Sequence, residues 1–193
     1  MVRFFRNIGL LLLMPAVAWS QTNDGPYIRA TATFSPCWSL VRNETYSYLT
    51  GELEYFPQPH LSLRGEGSYL AGMKDDLAFS YHLKHREDIF FGMAWHPLGD
   101  DHHLDPYLVL QTGFSRMQPV VNGFAHRNAV SPLQTAGIGA SYYFSKYFHF
   151  FANVRWVGGE YLGDAPQKIG LYEIRGAAGL GFHLTRQAFK HSD

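Results

Sequence analysis

Eight charged residues fall at spacings that would turn them to one side of a strand. Arg29, Arg64, Arg155 and Arg175 are basic, and Glu52, Glu54, Glu66 and Glu173 are acidic. Four guanidiniums facing four carboxylates could line a gate or a small ion path. They could also pair with one another as a static plug that fixes strand register. A buried charge without a partner is expensive, whereas a paired one is tolerable, so pairing is the expected arrangement and its expected role is structural.

Other residue types raise chemistry that their positions do not support. Lipid-directed catalysis needs a serine, a nearby base and an orienting carboxylate. His126 and Ser131 lie in a long connection, His149 on the polar face of a strand, and His191 and Ser192 in the C-terminal tail. No two of them share a strand face at close spacing with an acid, so the chain is not expected to be an enzyme. Asp100, Asp101, His102, His103 and Asp105 suggest a metal cluster, but on a short turn they read as a solvated polar loop, and no metal or cofactor is expected. Cys37 is the single cysteine. It has no partner for an intramolecular disulfide and reads as a small apolar side chain.

The elements that must position the charges repeat every two residues. In YEIRGAAGLGFHL (172–184), Tyr172, Ile174, Gly176, Ala178, Leu180, Phe182 and Leu184 form an apolar set, and Glu173, Arg175 and His183 lie in the other. That period belongs to a strand with two unlike faces. About 13 residues is long for a soluble strand and suits a tilted crossing of an outer membrane.

Seven further segments alternate in the same way, beginning near Tyr27, Tyr46, Leu61, Leu77, Tyr107, Leu133 and Phe148. In the fourth, Leu77, Phe79, Tyr81, Leu83, Ile89, Phe91, Met93 and Trp95 form the apolar set, interrupted by His85 and Glu87. FPQPH (56–60) and SKY (145–147) read as tight turns, and Met117 to Pro132 as a long loop in which Phe124 and His126 could contact an extracellular partner. Eight strands predict an all-β, antiparallel, up-and-down transmembrane barrel whose interior is just wide enough to be filled by side chains. Both ends of the mature chain then lie on one side, inferred to be the periplasm.

Composition agrees with that reading. The first 20 residues join Arg3 and Arg6 to the apolar run IGLLLLMPAVA and end in Ala18-Trp19-Ser20, a cleavable signal peptide pattern. Residues 21–184 are then the barrel and 185–193 a short periplasmic tail. Sixteen basic and 16 acidic residues leave no net charge, and nothing points to nucleic acid. The 16% aromatic content fits aromatic girdles at the two membrane interfaces.

The leader, SYYFSKYFHFFANVRW (141–156) and YEIRGAAGLGFHL (172–184) together resemble the OmpA/OmpX-type outer-membrane barrels, over about Gly25 to Leu184. The resemblance implies residence in the outer-membrane bilayer and insertion by the barrel-assembly machinery. Members usually end on an aromatic residue of the last strand, whereas here Phe182 is followed by Leu184 and a tail. The expected function is a structural or surface-interaction role. A narrow channel for small or hydrophobic solutes and a lipid-modifying enzyme are the alternatives within this fold. The alternative outside it is a soluble lipocalin-like binder, with every face inverted.

Overall fold

The computed structural model describes residues 26–42, 44–73, 81–99, 102–121, 123–165 and 168–185. The expected signal peptide and most of the expected tail lie outside these residues. Eight long strands form the wall: β1 (Pro26–Ser39), β2 (Thr45–Gln58), β3 (Leu61–Met73), β4 (Tyr81–Trp95), β5 (Leu104–Val121), β7 (Ala129–Tyr143), β8 (Phe148–Gly159) and β9 (Glu173–Thr185). A two-residue strand, β6 (Phe124–Ala125), folds back on the end of β5. Sequential antiparallel neighbours run from β1 to β5, then β7 to β9. Pairing of β9 with β1 closes the ring.

Closure removes the exposed sheet edge that a membrane would not tolerate. Both β1 and β9 have their outer termini at the end of the barrel that carries the tight turn at 59–60 and the turn at 144–147. In the second turn the Ser145 hydroxyl accepts the Phe148 amide at 2.9 Å. We call this the terminal end, and the opposite mouth the far end.

The two faces of the wall are unlike. Outward positions are apolar: Leu53 is 60% exposed, Leu110 69% and Ile138 57%, while inward Arg29, Glu54 and Arg175 are 3%, 1% and 0% exposed. The inverted, soluble alternative is therefore overturned, because the charges are inside. On β5 the outward set runs Leu104, Pro106, Leu108, Leu110, Thr112, Phe114. Ten steps at about 3.4 Å and a tilt near 40° give a belt roughly 26 Å tall, close to the apolar band of an outer-membrane barrel. The next outward residue, Arg116, faces Glu87 of β4 in the ladder, so charge begins where the belt stops. Outward aromatics mark both rims. Trp95, Tyr142, Phe148 and Phe182 lie toward the terminal end, and Trp38 and Trp156 toward the far end.

Three expectations need correction. β4 carries a register shift between Leu83 and His85, with Lys84 as the extra residue. A bulge reverses the in-out phase of the residues beyond it, so Leu83 points inward and is buried rather than sharing the outer face with Ile89 and Phe91. The stretch from Met117 to Pro132 is not a long open loop. β5 continues to Val121, β6 turns back, and β7 begins at Ala129, so most of it is a hairpin projecting past the belt. Finally, β5 starts at Leu104, which puts Asp105 on an inward strand position, 3% exposed, instead of in a solvated turn.

Candidate functional site: the charged lumen

The interior is built in layers. Toward the terminal end, Arg29 of β1 bonds Glu54 of β2 through Nε at 2.7 Å and through a second nitrogen, and reaches Asp105 of β5 at 2.8 Å. Its Nη1 also donates to the Ser141 and Tyr143 hydroxyls of β7, at 3.0 and 2.6 Å. Arg64 of β3 meets Glu54 at 2.9 Å and Glu52 at 3.4 Å. The Tyr107 ring lies 4.4 Å from the Arg64 guanidinium centre, a cation–π contact. Gly139 makes that ring placement geometrically feasible, because a Cβ there would stand 2.4 Å from it.

Between the layers, Arg155 of β8 pairs with Glu66 of β3 across the lumen. Farther along, Arg175 of β9 bonds Asp88 of β4 and Glu173 of its own strand. Arg86 of β4 bonds Asp88 at 3.0 Å and Glu173 at 3.0 Å. The Tyr48 ring lies 3.9 Å from the Arg175 guanidinium centre, and the Cys37 thiol donates to Glu173 at 3.2 Å.

The eight charges singled out in the sequence thus all face inward, and each contacts an opposite charge. They are not a self-contained set. Arg29 also uses Asp105, and Arg175 uses Asp88. Arg86, Asp88, Asp105 and His96 were missed. Arg86 and Asp88 occupy even positions of a segment whose odd positions were followed, so alternation from Phe90 backward would have found them. His96 and Asp105 bracket a stretch rich in Asp, His and Pro, where alternation gives no signal.

His96, in the turn after β4, is 1% exposed. Burial disfavours its charged form, but hydrogen bonds to Asp105 and Glu54 outweigh that and raise its pKa above the ordinary histidine value. Its Nδ1 lies 2.9 Å from Asp105, and its Nε2 lies 3.0 Å from the Ser62 hydroxyl and 3.3 Å from Glu54.

The far end is closed differently. Leu83, Phe90, Met117, Val121, Leu133, Val157, Tyr161, Ile169 and Leu171 form one buried apolar cluster inside the barrel mouth. The last three come from the β8–β9 connection, which a Glu160–Gly170 bridge folds back over the opening. Tyr161 donates to the Arg127 carbonyl, and the Arg127 amide donates to Asp164 at 3.0 Å, tying this connection to the β5–β7 hairpin. That amide holds the Asp164 carboxyl below its ordinary pKa.

Among the described residues, the candidate catalytic Ser131 and His126 make no hydrogen bond to one another. Ser131 is fully buried on β7 and accepts the Leu162 amide at 3.0 Å, whereas His126 lies 3.6 Å from Asp164. His149 and His183 face each other inside the barrel at 3.3 Å. His191 and Ser192 lie outside the described residues, as do Asp100 and Asp101.

No family model matches the chain, and no curated protein matches it. Solved structures do. Neisserial surface protein A is 15% identical, with 84% of this chain and 99% of its own covered and a TM-score of 0.61. The outer membrane protein OprG from Pseudomonas aeruginosa is 11% identical, with 84% and 97% covered and a TM-score of 0.64. The N-terminal β-barrel domain of OprF from Pseudomonas aeruginosa is 14% identical, with 83% and 99% covered and a TM-score of 0.55. At these identities the likeness is one of architecture, and the chain has the closed, eight-stranded antiparallel fold of the small outer-membrane barrels.

Proposed function

We propose that the protein is a resident of the outer membrane with a structural or surface-interaction role, and that its lumen is a plug rather than a path. The observation that carries this reading is the pairing of every charge singled out within the lumen, beneath an apolar closure of the far mouth. An ion entering would have to break buried pairs, and a buried charge left without its partner is costly. The apolar belt supplies the membrane side of the argument, and the barrel-assembly machinery is the implied route of insertion. Ser131 and His126 make no hydrogen bond to one another, which supports a non-enzymatic role.

The β5–β7 hairpin is the part offered to a partner. Its tip residue Phe124 is 76% exposed and lies beyond the belt. The test has two parts. Mobility of the outer-membrane fraction on gels, with and without boiling, should show the heat-dependent shift of a closed barrel. The purified protein in a planar bilayer should then show no steady conductance at neutral pH. A large steady conductance would replace the plug with the channel reading.

A further inference from the structure

With every carboxyl ionised, the charges described in the lumen balance only if one histidine is counted. Among the described residues five arginines point inward, Arg29, Arg64, Arg86, Arg155 and Arg175, against six carboxylates, Glu52, Glu54, Glu66, Asp88, Asp105 and Glu173. The charge layer toward the far end balances by itself, with Arg86 and Arg175 against Asp88 and Glu173, and so does the Arg155–Glu66 pair. The missing cation therefore belongs to the terminal-end layer, where Arg29 and Arg64 face Glu52, Glu54 and Asp105.

We infer that His96 is a resident imidazolium that completes this layer, and that loss of its proton unlocks the terminal end of the lumen. The inference rests on the closed-lumen reading above, although its first test does not.

Hydrogen-bond geometry leads to the same assignment. Nδ1 faces both oxygens of Asp105, at 2.9 and 3.0 Å, so it must carry a hydrogen. Nε2 faces the Ser62 oxygen and Glu54. The Ser62 hydroxyl gives its own hydrogen to Glu54, so toward His96 it can only accept. Both ring nitrogens are then donors, which only the imidazolium provides.

The other inward histidines do not fit the vacancy. His149 and His183 face one another Nδ1 to Nδ1, so one of the two nitrogens must be bare, and no ion pair reaches either among the described residues. Among the described residues the groups around His96 come from three strands. Asp105 and Tyr107 come from β5, Glu54 and Phe56 from β2, and Ser62 from β3. His60 binds the His96 carbonyl at 2.8 Å. Arg29 and Arg64 share the same acids, and Glu52 joins through Arg64.

The sign follows from linkage. A histidine held charged in the folded state contributes stability below its ordinary pKa near 6.5 and loses it as pH rises through the raised value. Within that window the folding equilibrium constant falls about tenfold per pH unit.

The first experiment labels the histidine ring nitrogens of the refolded full-length chain and reads them by NMR at neutral pH. One ring protonated on both nitrogens is expected, and its signal should vanish in His96→Gln. A neutral His96 ring overturns the inference whatever the conductance shows. The second compares His96→Gln with the double variant His96→Gln/Glu52→Gln, which restores equal numbers of opposite charges. The single variant should unfold at lower urea, and the double should recover part of the loss. A double variant no better than the single would mean that His96 acts by packing, and the inference fails. Bilayer recordings of the wild type should stay silent at neutral pH and gain conductance in alkali. Silence through alkaline pH would remove the unlocking step, whereas conductance already at neutral pH would sink the plug reading and leave the ring assignment standing.

Discussion

The two ends of the lumen are lined by opposite chemistry. At the terminal end Arg29, Arg64 and Tyr107 lock together Glu54, Asp105 and their neighbours through directional bonds. At the far end Leu83, Met117, Leu133, Ile169 and Leu171 pack without direction. The first kind fixes register, since Arg29 reaches β5 and β7 as well as β2, and a slip by one residue would turn charge toward lipid. The second kind only needs volume, and it can be supplied by a connection folded into the mouth. The difference teaches that charge in this barrel specifies pairing, while apolar bulk fills the far mouth.

Substitutions can break that contrast in order of size. Arg175→Leu leaves Asp88 and Glu173 with Arg86 alone, and removing one member of a buried charge set costs about 3–5 kcal/mol. Refolding yield and the urea midpoint should fall together, with no new conductance; an unchanged midpoint would show that the pairs do not hold the barrel. Leu133→Ala opens a cavity in the far-end cluster, expected to cost roughly 3 kcal/mol of folding stability while leaving the heat-dependent gel shift intact. Were it to abolish the shift, the far end would be as register-determining as the terminal end.

Leu110→Arg puts a cation on the lipid side, where about 2–4 kcal/mol is expected at mid-bilayer. A neutral effect, read from folding into vesicles, would place β5 differently in depth. Glycines give the sharpest pair. Gly139→Ala drives a methyl into the Tyr107 ring and should cost about 1–3 kcal/mol, whereas Gly67→Ala meets nothing within 4 Å and should stay within roughly 0.5 kcal/mol. Equal urea midpoints for the two would mean that the Tyr107 ring is not held where Arg64 needs it.

What was legible in the sequence was the alternation. Glu52, Glu54 and Leu53 on β2, or Arg155 and Trp156 on β8, could be assigned to faces because a period of two needs no knowledge of neighbours. The partners of each arginine were not legible, because pairing across the lumen depends on stagger: Arg29 reaches Asp105, 76 residues away. The far-end cluster was hidden for a different reason. Met117 and Val121 fall in the stretch that reads as a long loop, where no alternation marks an inward apolar position. A bulge, finally, leaves no reliable trace in composition, and Lys84 looks like any exposed lysine.

Lys84 can be regarded as a phase slip in a two-beat signal. Below it, the beat of β4 sends Arg86, Asp88 and Phe90 inward and Ile89 and Phe91 outward. Above it, the beat restarts so that Leu83 lands in the mouth. A one-residue deletion at this place would be silent to the lower part of the strand and would invert the upper part. One inserted residue thus lets a single strand serve a charged interior and an apolar seal without changing which neighbours it pairs with.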